Sequence, residues 1–248
     1  MTAATGTWLR RFQPTADAPT RLVCLPHAGG SATWFAPLAR RHAPHLDVLA
    51  AQYPARQDRR GEPPVPSITG LAAGVVADLL PLADRPIALF GHSMGATVAY
   101  EAARLLRGHG VTPVALFASS RRPPATHRGE VLHTKPDADL LRELDALGGT
   151  DLRLLDRELL DLALAALRVD YQAVEDYEHV PGEPLTCPVT ALVGDADPKV
   201  TPEEAAGWAA CTTGPFTREV FPGGHFFLTG HVDAVDALIT SRLVAAPR

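Results

Sequence analysis

No stretch of the 248-residue chain is apolar and uncharged for the length of a bilayer span, and its opening residues, MTAATGTWLRRF, contain no apolar core of a secretory signal. A soluble, cytoplasmic protein is the expectation. Cysteine is scarce: Cys24, Cys187 and Cys211 form an odd set without metal-type spacing, and Cys24 sits inside an apolar run. Reduced, structural thiols and no metal site are expected. A basic excess is also missing, since 23 Lys and Arg face 28 Asp and Glu for a formal net charge of −5, and no basic block is interleaved with aromatics. Nucleic acid is therefore not an expected partner. Neither G-x-G-x-x-G nor a Walker-A lysine occurs, so the glycine-rich LPHAGGS (25–31) is not read as a nucleotide cradle. No Gly/Ser linker or internal repeat divides the chain, and a single domain over residues 1–248 is expected.

What is present is apolar and alternating. Hydrophobic residues make up 46% of the chain, ample for a buried core. Strand-like runs recur at 21–26, 46–53, 87–90, 114–119, 188–194 and 217–222, with helical patterns at 34–43, 67–83, 94–108, 202–211 and 231–244. Strands alternating with helices imply an α/β fold with a doubly wound, mostly parallel sheet covered on both faces. One interval breaks the alternation. From Arg121 to Pro184 no strand is evident, and two helical patterns fill more than sixty residues, beyond the need of one crossover. Residues 121–184 are expected to form an inserted helical lid.

The segment IALFGHSMGATVAYEAARLL (87–106) carries the chemistry. A short strand run ending at Phe90 meets a helical pattern, and Gly91 and Gly95 bracket Ser93 as G-x-S-x-G, the spacing of a tight strand-to-helix turn that lifts the serine clear of the sheet. The same turn leaves the Met94 amide near the positive end of the helix, where a developing negative charge is favoured. Ser93 alone also fits a simple helix cap, so its partners decide the reading.

A serine hydroxyl needs a histidine to take its proton, and that histidine needs an acid. In open α/β sheets reactive groups gather beyond the carboxyl ends of the strands. Of the ten histidines, His225 in VFPGGHFFL follows the last strand run, with two glycines before it and aromatics around it to exclude water. His27 lies in a different kind of loop, and the elbow turns His92 away from Ser93. The remaining histidines, His42 among them, are read as surface or lid residues. For the acid, ALVGDADPKV offers Asp197 three residues past Gly194, with Asp195 as a turn-forming residue. The order Ser93, Asp197, His225 is that of α/β-hydrolases. LPHAGGS is placed to offer the Ala28 amide as a second oxyanion donor beside Met94.

With LPHAGGS, YPARQDRRGEP, GHSMGA, GDADP and GGHFFL in this order, the chain resembles the type II thioesterases, stand-alone editing enzymes of polyketide and nonribosomal peptide synthesis. The resemblance implies hydrolysis of acyl thioesters on the phosphopantetheine arm of an acyl carrier protein or peptidyl carrier protein, with no cofactor. Two positions depart from the family pattern: Ala55 and Ala96 stand where glycine is usual. A medium-chain acyl-thioester hydrolase or a general carboxylesterase uses the same triad, and a hydrolase-shaped binding protein without turnover is the non-enzymatic alternative. Arg121 and Arg122, just past the fourth strand run, are either a solvated charge pair or a basic patch for an acidic carrier protein.

Overall fold

A strand covered on both faces has no polar side to present, and the apolar runs fold accordingly. The computed structural model describes residues 3–4, 7–15, 17–43, 45–148 and 156–244. Its strands in chain order are β1 (Ala3–Ala4), β2 (Leu9–Arg11), β3 (Thr20–Leu25), β4 (Leu46–Ala51), β5 (Ile87–His92), β6 (Ala115–Ser119), β7 (Val189–Gly194) and β8 (Phe216–Phe221). They form one sheet in the order β1-β2-β4-β3-β5-β6-β7-β8, antiparallel at the β1/β2 and β2/β4 pairs and parallel elsewhere. Strands β3 to β7 are buried along their whole length.

The helices are α1 (Ala36–His42), α2 (Ile68–Leu79), α3 (Met94–Gly108), α4 (Asp137–Leu147), α5 (Arg157–Glu175), α6 (Pro202–Ala206) and α7 (Val232–Leu243). Alternate strand residues feed opposite cores, as the two-residue period of a strand requires. Val23, Leu49, Leu89 and Leu116 join α2 and α3 on one face. Leu22, Val48, Phe90 and Phe117 join α1 and α7 on the other. The doubly wound α/β architecture expected from the alternation is the one observed. Cys24, Cys187 and Cys211 are free thiols, and among the described residues no helix is long and apolar enough to cross a membrane.

Two features were not read from the sequence. Strands β1 and β2 extend the sheet antiparallel beside β4, although two and three residues are too short to show a period. His42 is not a surface residue: it is 2% exposed on the inner side of α1, with Nε2 2.8 Å from Asp236 Oδ1 on α7. Its charge partner lies 194 residues away, beyond any local pattern. The interval 121–184 contributes α4 and α5 and no named strand among its described residues; 149–155, also part of the expected insertion, lie outside them.

The first turn of α3 crosses the end of β3 with almost no clearance. A Cβ at Gly95 would stand 2.0 Å from the Leu25 carbonyl oxygen, and one at Gly91 would stand 2.1 Å from the Gly95 carbonyl oxygen. Backbone on both sides leaves no flexible side chain to yield. Gly95→Ala is expected to lower stability by about 3 kcal/mol, the upper end of overpacking costs, seen as a lower urea midpoint at unchanged slope. A midpoint equal to the parent's would show that the crossing can relax.

Candidate active site

Between β5 and α3 the backbone at Ser93 takes φ 54° and ψ −120°, a region that costs a non-glycine residue about 1–3 kcal/mol. The turn is held by Ser93 N–H donating to Ser119 O at 2.8 Å and by Ala96 N–H donating to Ser93 O at 2.9 Å. The Ser93 side chain makes no cap bond to α3. Its Oγ instead lies 2.9 Å from His225 Nε2.

The loops after β7 and β8 bring the acid to the histidine. Gly194 permits this, because a Cβ there would stand 2.4 Å from the carbonyl oxygens of both Gly223 and Gly224. Ala196 N–H donates to Gly223 O at 2.9 Å, and the exposed Asp195 accepts from Gly223 N–H at 2.8 Å. Asp195 thus ties the two loops together. Asp197, 6% exposed, places Oδ1 and Oδ2 at 2.9 and 3.0 Å from His225 Nδ1. An ionised carboxylate only accepts, so Nδ1 carries the proton, Nε2 accepts, and the Ser93 hydroxyl donates to it. Ser120, which no motif pointed to, is left-handed at φ 51°, and its hydroxyl donates to the His225 carbonyl at 2.9 Å.

Two further histidines surround this arrangement. The ring of His27 contacts Trp34, His92 and Phe226 edge-on, while His92 stacks on Trp34 and shares a 2.9 Å hydrogen bond with Ser119 Oγ. Burial, reinforced by His225 and Arg56, pushes His27 down to about 3. Burial, with His225 and His27 nearby, also holds His92 well below the usual histidine range. Both are therefore held neutral. Of the aromatics beside His225, Phe226 packs against its ring and lines the cavity, whereas Phe227 stacks on Phe221 in the α1/α7 core.

A cavity of about 40 Å³ adjoins Ser93 and His225. Its near wall is His27, Ala28, Met94 and Phe226, and its far wall is Leu144 and Leu147 of α4 with Tyr171 and Val174 of α5. The Ala28 and Met94 amides have no hydrogen-bond partner among the described residues. No cluster of three or more His, Cys, Asp or Glu among those residues has the arrangement of a metal site.

Arg121 and Arg122 form neither a solvated pair nor a basic patch. Arg122 is 2% exposed and binds Glu130 and the Lys199 carbonyl. Arg121 lines the cavity, with Nε donating to Thr97 Oγ1 at 3.2 Å. Burial and the neighbouring Arg122 pull its guanidinium down to about 10, still charged at neutral pH. The carboxylates and carbonyls that bury these arginines come from other elements, so the dipeptide by itself looks solvated. Ala55 adopts φ 66°, which accounts for the usual glycine there; alanine costs about 1 kcal/mol in this region. Ala96 is fully buried beside Gly91.

The model of the thioesterase domain family matches residues 20–243. The chain belongs to the thioesterase family. This thioesterase is 49% identical over 237 residues to the probable cadicidin biosynthesis thioesterase of Streptomyces griseus, covering 95% of this chain and 66% of that protein, just under two thirds of its length. It is 49% identical over 226 residues to thioesterase PikA5 of Streptomyces venezuelae, covering 90% of this chain and 80% of the other. The solved structure of the type II thioesterase BorB from the borrelidin biosynthetic cluster superposes with a TM-score of 0.89 at 47% identity, covering 95% and 97% of the two chains. The fold of the thioesterase is thus the α/β-hydrolase fold of these structures.

His92, fully buried, and His27, half-buried, are both held neutral, so the thioesterase is expected to be acid-sensitive. Unfolded histidines titrate near ~6.5, so below that pH the unfolded chain binds more protons than the folded one, and stability falls as pH drops toward 3. Urea unfolding from pH 7 to 4.5 is expected to lose roughly 1.4 kcal/mol per pH unit for each such histidine once well below its unfolded pKa. His92→Asn, which keeps a polar partner for Ser119, should give a shallower decline. Parallel curves for parent and variant would remove His92 from this account.

Proposed function

We propose that this thioesterase hydrolyses acyl thioesters on the phosphopantetheine arm of acyl or peptidyl carrier proteins, as a cytoplasmic stand-alone editing enzyme of polyketide or nonribosomal peptide assembly. The observation that carries the chemistry is the continuous chain of contacts from Ser93 Oγ through His225 to Asp197. The substrate class is supported by the biosynthetic clusters named for its relatives.

In this reading Ser93 Oγ attacks the thioester carbonyl while its proton passes to His225 Nε2, and the buried Asp197 carboxylate stabilises the imidazolium through Nδ1–H. The Ala28 and Met94 amides donate to the oxyanion of the tetrahedral intermediate. Collapse breaks the C–S bond, and His225 returns the proton to the departing pantetheine thiolate. Water then attacks the acyl-serine, giving its proton to the same nitrogen. Collapse of the second intermediate releases the acid and restores the Ser93 hydroxyl.

Residues 121–184 act as the lid of the acyl chamber. A cavity of 40 Å³ holds on the order of three water molecules, far less than an acylated pantetheine arm. In this reading α4 and α5, which form the far wall, widen the cavity to admit the substrate.

The test is intact-mass measurement of a panel of acyl-loaded carrier proteins before and after addition of the enzyme. Loss of the acyl mass with the phosphopantetheine retained is expected, and turnover of simple esters with none of carrier-bound thioesters would sink the assignment. Ser93→Ala should lower kcat by on the order of 10⁶ in a folded protein. Asp197→Asn should lower it by about 10⁴, and Asp195→Asn by far less, since the Asp195 carboxylate accepts from the Gly223 amide and not from His225.

A further inference from the structure

The loop 27–30, which carries the Ala28 amide, has little internal support. Within it the recorded bond is Gly30 N–H donating to His27 O at 2.9 Å. The next amide, Gly29 N–H, donates instead to Asp170 Oδ2 at 2.7 Å, across 141 residues of sequence. Asp170 stands on α5 and is 1% exposed. The same Oδ2 receives Arg56 Nη2, and Arg56, 6% exposed, is the salt-bridge partner of Asp170 among the described residues.

Arg56 is itself fixed from several directions. Its Nη1 donates to Pro54 O at 2.6 Å, its guanidinium lies 5.3 Å from the Tyr53 ring centroid, and the left-handed Ala55 sets its approach. Gln52 donates to Arg56 O at 3.2 Å and accepts from Ala32 N–H at 3.1 Å, joining this segment to the residues just after the glycine loop. On α5, Leu167 closes over Gly29 one turn before Asp170, and Tyr171 packs in the same small cluster as Leu167, with Ala28 against it. Three chain segments therefore converge on one buried carboxylate.

We propose that Asp170 is a positioning residue for catalysis: it latches α5 onto the glycine loop, so that the Ala28 amide reaches the oxyanion position only when the helix is seated. This rests on the reading of Ala28 as an oxyanion donor and of α5 as part of a movable lid. A hydrogen bond to a carboxylate is stronger than one between neutral groups, and this one ties the amide next to Ala28 directly to α5. An oxyanion donor acts only at hydrogen-bond distance from the developing charge, and a displacement of about 1 Å costs up to ~10²-fold in rate. Entry of the acyl arm moves α5 outward and takes Asp170 from Gly29. Return of Asp170 to Gly29 restores the donor before the thioester is attacked.

The experiment compares parent, Asp170→Asn and Asp170→Ala, with the double variant Arg56→Met/Asp170→Ala to avoid stranding a buried guanidinium. Each is assayed for kcat and KM on an acyl carrier protein and for affinity toward an alkyl boronic acid, whose tetrahedral adduct on Ser93 puts an oxygen in the oxyanion position. Asp170→Ala and the double variant are expected to lose kcat by about 10- to 100-fold with KM within about twofold. Boronate affinity should fall by the same factor. Asp170→Asn, which keeps an acceptor for Gly29 N–H, should lose less. Folded variants that keep kcat and boronate affinity, or that change KM alone, would overturn the proposal, and so would failure of all three variants to fold. Failure of the underlying hydrolase reading looks different: the parent itself would then bind no boronate at Ser93.

Discussion

Parallel strands deliver every chain that leaves a carboxyl end to the same edge of the sheet, and the whole site depends on that constraint. From β3 comes the glycine loop, from β5 Ser93, from β6 Ser120, from β7 Asp197 and, just beyond β8, His225. None of these loops needs to travel far. What remains is close approach, and it is met where side chains are absent: α3 lies on the Leu25 carbonyl at Gly95, and the acid loop meets the histidine loop at Gly194.

Around this edge the polar groups are divided by charge state. His27 and His92 are kept neutral by burial among aromatic rings. The charged groups farther out are paired into a network, Arg122 with Glu130 and Lys199 with Glu130 and Glu143, and His133 Nδ1 shares a 2.6 Å hydrogen bond with Glu175. The network fastens the segment after β6 to α4, α5 and the loop after β7, all of which border the cavity. Among the described residues Asp197 is the carboxylate at hydrogen-bond distance from the His225 ring.

That Ser93, Asp197 and His225 come together was legible because each follows an apolar strand run and each is marked by nearby glycine. The sheet was legible for the same reason: a two-residue period and a helical period are local signals. Asp170 and Arg56 were not, since a mid-helix aspartate and a loop arginine acquire meaning only through each other, 114 residues apart, and through Gly29. Ser120 carries no motif, and its role is visible only in the bond to the His225 carbonyl. The neighbouring arginines 121 and 122 misled for the converse reason. A charged dipeptide after a strand looks exposed until distant carboxylates and carbonyls are folded over it. Ala55 departed from an expected glycine without explanation until its positive φ was seen.

The left-handed backbone at Ser93 sets robustness against turnover. A strained residue costs about 1–3 kcal/mol, a visible fraction of the roughly 5–15 kcal/mol that separates a typical domain from its unfolded chain. Glycine at that position would remove the strain together with the hydroxyl. Improvement of this protein by selecting only for heat resistance therefore has an easy path at Ser93, and under the proposed mechanism that path ends in an inert protein. Any such selection needs a concurrent demand for acyl release, which is the pressure that keeps a serine where the backbone favours none.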